Sequence, residues 1–540
     1  MDDSELRWSE VRRRRQKRLR RGVWIFLGTI GIGVGSAILW GSGGDTPDVG
    51  LLESAIYARP SEVPPVELSV VTAEWGIATV DLGGADPMSG GISPADLDND
   101  GDLDLVVANG SAVVLLWDSG QYGAPIDLGI DDAVSATVGD LDSDGWADML
   151  VARTGDFDAI VWGGDWLTGS GIPPDPQRLE GGAPSAILLP VDLDADASLE
   201  IVRLGRGGQS GTPDVIWTRA ASDPRLFESV DLPGSDRISL AAAIADVDGD
   251  GLLDIWVTRD VGWDTGGDSV YSRLGDISGP WADIADTLGA GLAIDGMGIT
   301  LADLDSDHDI DAYVSDIGDN EVLLAQDGVF MSEDSTGAAR IRPPGSPESV
   351  VSSSWASGAA DINLDGRLDL VVVGGGFPDG GVRNKIAGTS VTVHEAPAIL
   401  VGIDGRHFVD DWPVLGIDLS LTGRSMALGD FDGDGDTDIV IVSQDGTLAA
   451  LRNDTERPST TVEISSSCGE GVEVEVGAGD VLYKSVVPAQ TYGGSHARQV
   501  LVGLGVDDEP TTIRVERPGH DPSTFIAEAR SHRSVTTIEC

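Results

Sequence analysis

The chain has 540 residues, 41% of them apolar and 23% charged, and a formal net charge of −57. That length and balance describe a folded protein large enough for a sizeable core, not a disordered chain. So acidic a surface repels a nucleic-acid backbone, and no basic stripe exists beyond the N-terminus, so nucleic acid is excluded as a partner.

Residues 1–21 hold nine Lys and Arg (Arg7, Arg12 to Arg15, Lys17, Arg18, Arg20 and Arg21) against four acids. The uncharged run VWIFLGTIGIGVGSAILW follows from Val23 to Trp40. At a rise of 1.5 Å per residue it spans about 27 Å as a helix, close to the thickness of a bilayer core. Trp24 and Trp40 sit where aromatic belts form. The expectation is a basic cytoplasmic segment (1–22), one transmembrane helix anchoring the chain in the membrane (23–40), and an extracytoplasmic remainder, periplasmic or cell-surface. A cleaved signal peptide competes with this reading, although the apolar run is long for one and no A-x-A site follows. A twin-arginine signal at Arg20 and Arg21 fits less well. Residues 41–66 are rich in Gly, Pro and acids, as a linker lifting a domain off a membrane would be.

From Asp96 the sequence turns periodic. DLDNDGDLDLVVANG is followed by related stretches beginning at Asp140, Asp192, Asp246, Asp303, Asp361 and Asp430. Each is preceded by a run of small and apolar residues and followed by further short runs separated by Gly and Asp turns. Three or four strands per repeat of this length indicate one blade of a β-propeller. After Asp430 only about three strands remain before the composition changes near Pro458, whereas Val66 to Gly83 stands unpartnered before the first loop. A propeller must hide its last edge, so this N-terminal segment is expected to complete the seventh blade. The expected fold class is all-β: a seven-bladed β-propeller with calcium loops over 67–457, a separate small β domain over 458–540, and the N-terminal transmembrane helix.

Numbering each acidic stretch from its first residue, positions 1, 3, 5 and 9 supply oxygen ligands. These are Asp96, Asp98, Asp100 and Asp104 in the first loop, and Asp140, Asp142, Asp144 and Asp148 in the second. The third has Asp192, Asp194, Asp196 and Glu200, and the fourth Asp246, Asp248, Asp250 and Asp254. Asp303, Asp305, Asp307 and Asp311 form the fifth set; Asp361, Asn363, Asp365 and Asp369 the sixth; Asp430, Asp432, Asp434 and Asp438 the seventh. Glycine at position 6 allows a sharp turn in five copies, with Ala197 and His308 as the exceptions, so the third and fifth loops are expected to bind more weakly. Position 2 is always apolar, which pins the loop to the core. All-oxygen ligands around a turn suit Ca²⁺ better than Zn²⁺, Cu²⁺ or Mg²⁺. An EF-hand needs a bidentate Glu at position 12, but Val107, Val151, Arg203, Val257, Val314, Val372 and Ile441 stand there. EF-hands are therefore excluded.

The tail has short alternating runs without acidic loops. It also holds both cysteines, Cys468 and Cys540, an even pair that suggests one disulfide in an exported chain.

With these residues in view, the repeats resemble FG-GAP/VCBS repeats. Ile294 to Phe330 and Ser353 to Gly376 are similar to the propeller of the cartilage acidic protein family, and Leu501 to Gly519 resembles its ASPIC/UnbV domain. The resemblance implies a calcium-binding scaffold. No catalytic residue is expected: the six histidines are scattered, no H-E-x-x-H, G-x-S-x-G or C-x-x-C occurs, and Ser495–His496 reads as a turn. Of the fourteen tryptophans, Trp117, Trp162, Trp166, Trp217, Trp263 and Trp281 fall between strands, where exposed rings would stack on sugars and buried rings would pack blades. The expected function is an adhesion or protein-interaction scaffold whose ligand is an extracellular protein or glycan. A calcium-dependent lectin is the alternative, and an enzyme with its site in the propeller funnel the less favoured one.

Overall fold

The computed structural model describes Arg59 to Ile538 except residues 62, 85, 156, 180–183, 207–211, 221–222, 235–236, 340, 342–349, 378–389, 392–393, 466–470, 479–480, 504–510, 519, 521 and 528–533. The basic segment, the expected anchor at 23–40, most of the linker, and both Cys468 and Cys540 lie outside the described residues. Among the described residues, no helix is long and apolar enough to cross a membrane. The fold is all-β, and the α-helices among the described residues are single turns such as Gly262–Thr265 and Trp412–Leu415.

The repeats form antiparallel sheets. Four of them run in sequence order: Ser185–Val191 to Asp223–Asp231, Ser239–Ala245 to Trp281–Asp283, Ile299–Ala302 to Val329–Ser332, and Ser354–Ala360 to Phe408–Asp410. The first two repeats merge into one six-stranded sheet. Its strand Asp104–Leu115 is not straight. Thirteen extended residues would cover about 40 Å, yet the Trp117 amide donates to Asp104 Oδ1 at 2.7 Å, so the run doubles back at Gly110, whose φ is +84°. In the last repeat, Gly423–Gly429, Asp438–Ser443 and Leu448–Asn453 are joined by Leu68–Val70, which pairs Leu68 with Asn453. The N-terminal segment thus supplies the outer strand of the seventh sheet.

Packing runs in a closed cycle. One buried cluster joins Val106 and Ala136 of the first and second sheets, and the next joins Leu150 and Ile201 of the second and third. Further clusters link third to fourth through Ile216 and Ile255, and fourth to fifth through Trp256 and Leu323. Others link fifth to sixth through Tyr313 and Leu370, and sixth to seventh through Val371 and Ile439. The last cluster brings Ala427 and Val440 of the seventh sheet against Leu105 and Val107 of the first. Second strands such as DIWVTR and DIVIVS are buried at every position, which is why they read as unbroken apolar runs after the acid.

The tail, expected as a separate domain, shares this core. Val462, Val474, Tyr483, Val502 and Ile513 pack in the same cluster as Tyr313 and Leu370, and residues 59–540 form one compact unit. The hairpin Gln490–Thr491/Gly494–Ser495 meets the first strands of several sheets at once. Gly493 O accepts from Ala136 N–H at 3.3 Å, and the Ser495 amide donates to Ser93 Oγ at 3.1 Å. Ile244 N–H reaches Gln490 Oε1 at 3.4 Å, and Thr491 Oγ1 donates to Ser357 O at 3.3 Å. Beside it, Ala497 N–H donates to Leu428 O at 2.9 Å. The first strands of five repeats therefore converge on one segment of the tail. The approach requires glycine: a Cβ at Gly494 would overlap the Ile92 carbonyl, and one at Gly358 would overlap the His496 ring.

Candidate metal centres in the acidic loops

All seven loops close on the same register. The last residue of the first strand pairs with position 9: Ala95 with Asp104, Gly139 with Asp148, Val191 with Glu200, Ala245 with Asp254, Ala302 with Asp311, Ala360 with Asp369 and Gly429 with Asp438. Position 9 is thus the first residue of the second strand. It is held by main chain, its outer oxygen accepting the position-2 amide in every loop at 2.7–3.1 Å. In five loops the other oxygen accepts a main-chain amide from further along the repeat, as Asp311 does from Ala325 of the third strand at 2.7 Å. The position-9 carboxylate is therefore a latch between loop and sheet as well as an oxygen facing the cluster.

Position 1 folds the loop around itself. Its two oxygens accept the amides of positions 5 and 6, at 3.0 and 3.1 Å for Asp96 and at 2.9 and 2.7 Å for Asp361. The same pair recurs at Asp140, Asp192, Asp246, Asp303 and Asp430. Position 5 in turn accepts the position-7 amide, as Asp144 does from Trp146 at 3.0 Å. The backbone pays a conformational cost for this. Position 6 has positive φ in all seven loops, including Ala197 at 68° and His308 at 78°. Position 4 does too, through Asn99, Ser143, Ala195, Gly249, Ser306, Leu364 and Gly433. Sequence reading found the first of these positions and missed the second, whose only signal is the preference for Asn, Ser and Gly there.

Carboxylate oxygens of Asp96, Asp98 and Asp104 lie within 4.8 Å of one another, and so do those of Asp140, Asp142 and Asp148. The third loop brings together Asp192, Asp194 and Glu200, and the fifth Asp303, Asp305 and Asp311. The fourth differs, grouping Asp246, Asp248 and Asp250. These groups can hold a metal ion. Their fit to a hard cation rests on position 3, where Oδ1 of Asp98, Asp142, Asp194 and Asp305 is buried without a hydrogen-bond partner. An acceptor left so in four loops at the same place needs a positive ligand. Position 3 is not uniform, however. Arg225 from the third sheet donates to Asp142 Oδ2 at 2.9 Å, and the Asn363 side chain bridges Asp365 N–H and Pro64 O.

Burial, reinforced by neighbouring carboxylates, pushes Asp104, Asp148 and Asp254 up to about 7 and Glu200 and Asp311 to about 8. A divalent cation opposes these shifts, so protons compete with it near neutral pH.

Other expected features resolve differently. Trp117, Trp162, Trp217 and Trp281 are each less than a tenth exposed, so these rings pack sheets and offer no face to a sugar, whereas Trp166 is half-buried. The Trp263 side chain lies outside the described residues. His496, adjacent to Ser495, is buried, accepts Leu428 N–H on Nδ1 at 3.2 Å and turns Nε2 to Ser357 O at 3.2 Å. Both nitrogens are engaged by main chain, which suits a structural ring and not a general base. The tail hairpin itself had only the Gly-Gly turn signal in TYGGSH.

Comparison with known proteins gives two family matches and distant structural likenesses. A crystal structure of BBS1N in complex with ARL6DN, soaked with mercury, aligns at 13% identity and TM-score 0.40, covering 69% of this chain and 94% of that one. The catalytic domain of Coprinopsis cinerea GH62 alpha-L-arabinofuranosidase aligns at 13% identity and TM-score 0.30, covering 47% of this chain and 90% of that one. No curated protein sequence matches. Residues 96–151, holding the first two loops, match the FG-GAP-like repeat, and residues 422–455, around the seventh, match the FG-GAP repeat; the chain is one that carries FG-GAP repeats.

Proposed function

We propose that the seven sheets are the blades of a β-propeller and that the protein is a calcium-binding interaction scaffold, anchored by residues 23–40 and displayed outside the cytoplasmic membrane for adhesion or partner binding. The closed cycle of cores supports the blade count. The observation that carries the metal reading is the repetition of one loop geometry seven times, with the position-3 oxygen orphaned in four copies. Positions 1, 3 and 9 hold the cation and position 5 completes the set; the cation neutralises carboxylates that otherwise repel and ties the first strand to the second. With the first strands of five repeats met by the tail segment and Trp117, Trp162, Trp217 and Trp281 buried, the propeller acts through its surfaces, on a protein partner.

Calorimetric titration of the full chain in detergent tests the metal reading. Saturable calcium uptake with a raised melting temperature, reversed by chelator, is expected. At a hundredfold excess over Kd each site stabilises by about 2.7 kcal/mol, less where affinity is only millimolar. Melting indifferent to calcium and chelator alike overturns it. Membrane display is tested by a reporter fused after residue 60, which should be active only outside the cytoplasm.

A further inference from the structure

The seven loops are not equivalent in what covers them. Asn99, Asp100, Ser143, Asp144, Ala195 and Asp196, at the tips of the first three, are exposed to solvent. The last three lie against the tail. Gly503 N–H donates to Asp361 Oδ2 of the sixth loop at 2.8 Å, and a Cβ on Gly503 would overlap the Leu364 carbonyl of the same loop. In the fifth, Asp303 N–H donates to Lys484 O at 3.2 Å and Lys484 Nζ donates to His308 O at 2.8 Å. In the seventh, Asp430 N–H donates to Gln499 Oε1 at 3.1 Å, and Ser459 Oγ to Gly435 O at 2.8 Å. Each of these hydrogen bonds is to a loop atom at position 1 or 6, the two positions whose hydrogen bond shapes the loop.

We propose that cation occupancy of the fifth, sixth and seventh loops and seating of the tail on them are one linked equilibrium. The inference rests on the calcium reading above and adds a regulated partner to it, the tail. Without a cation, exposed loops relieve carboxylate repulsion by opening into water. The sixth cannot: Asp361, Asn363 and Asp369 are each 0% exposed, Asp361 under Gly503 of the tail and Asn363 against Pro64 O, so relief requires this cover to lift. A cation that restores the loop restores the donors and acceptors on which Lys484, Gln499 and Gly503 sit. Because Gln499 and Gly503 continue directly from the hairpin at 490–495, lifting the cover also loosens the segment on which the first strands converge. By linkage, a seated tail raises cation affinity in these loops by the same factor that cation raises tail seating.

Hydrogen exchange of the full chain tests this, read at the amides of 490–503. Calcium should slow exchange there at least tenfold relative to chelated protein. Asp365→Asn in the sixth loop should remove most of that dependence, whereas Asp100→Asn, the same position in the first, should leave it within twofold. Conversely, Gly503→Ala should weaken calcium uptake at the tail-covered sites and spare the others. A chain that binds calcium in calorimetry but shows equal effects of the two Asn variants, or no calcium-dependent protection of the tail, overturns the coupling and leaves the calcium reading standing. No calcium uptake at all overturns both.

Discussion

The repeated sheets and the tail hide their backbones in different ways. Each sheet meets another copy of itself on either side, so its apolar faces need only match a neighbour built from the same pattern. The tail has no copies. It buries Val474, Tyr483 and Ile513 against the fifth and sixth sheets, and it threads a glycine hairpin between strands that come from across the repeat array. Repetition makes the sheets tolerant of irregular loops, whereas the tail depends on close approach at single residues.

The largest effects should come from charge buried between sheets. Arg259 donates to Asp214 Oδ2 at 2.7 Å and to the Ser239 and Tyr271 hydroxyls, with both charged partners 0% exposed. Arg259→Ala leaves an uncompensated carboxylate and should cost about 3–5 kcal/mol in urea unfolding. Arg452→Ala, a partly exposed arginine paired to Asp454, should cost less than about 1 kcal/mol. Equal costs would show that the buried network is not what joins these sheets.

Next comes the tail. Gly494→Ala forces the hairpin away from Ile92 and should destabilise by about 2–3 kcal/mol. Gly120→Ala, at an open turn of positive φ, should cost only about 1 kcal/mol.

The loops were legible because one physical requirement is written seven times. Acids at positions 1, 3, 5 and 9 and a glycine at 6 cannot recur in phase by accident, and a strand left over at one end and missing at the other placed the N-terminal segment in the last repeat, where Leu68 pairs with Asn453. The place of the tail was not legible. Its alternating valines announce strands but say nothing of which surface they cover, and Tyr492 bonds Met88 O and His496 Nε2 faces Ser357 O, each more than a hundred residues away in sequence. Position 4 escaped notice for a local reason: Leu364 and Ala195 occupy a left-handed turn that side chains disfavour.

Acidity should separate the two regions by sign. His496 is held neutral by burial, its pKa lowered to about 4, so above its ordinary value near 6.5 it is neutral folded and unfolded alike. As pH falls from about 6.5 to 4 the unfolded chain gains a proton the folded chain refuses, and stability drops by roughly 3 kcal/mol. The chelated loops go the other way. With Asp104 and Asp148 raised to about 7, their protonation favours the folded state at low pH, and that contribution is lost as pH rises through 7. Comparing wild type with His496→Gln at pH 7.5 and 4.5 isolates the first term; an unchanged difference between the two pH values would remove it.

The smallest effect sharpens the picture of the loops themselves. Ala197→Gly and His308→Gly relieve left-handed strain and should each stabilise the chelated protein by about 1 kcal/mol, seen as a rise in melting temperature. Gly101→Ala should lower it by a similar amount.

The pairing of Leu68 with Asn453, and the hairpin at 490–495 beyond it, also set a timetable. The first strand described has no partner until nearly the whole repeat array has been made, and the inner strands remain uncovered until later still. A chain delivered N-terminus first therefore accumulates half-finished edges, and its core closes only when residues 490–503 have been made. Contacts of such sequence separation fold slowly, so a truncation in the last fifty residues should yield a protein that aggregates during synthesis and not one that merely lacks a terminal module.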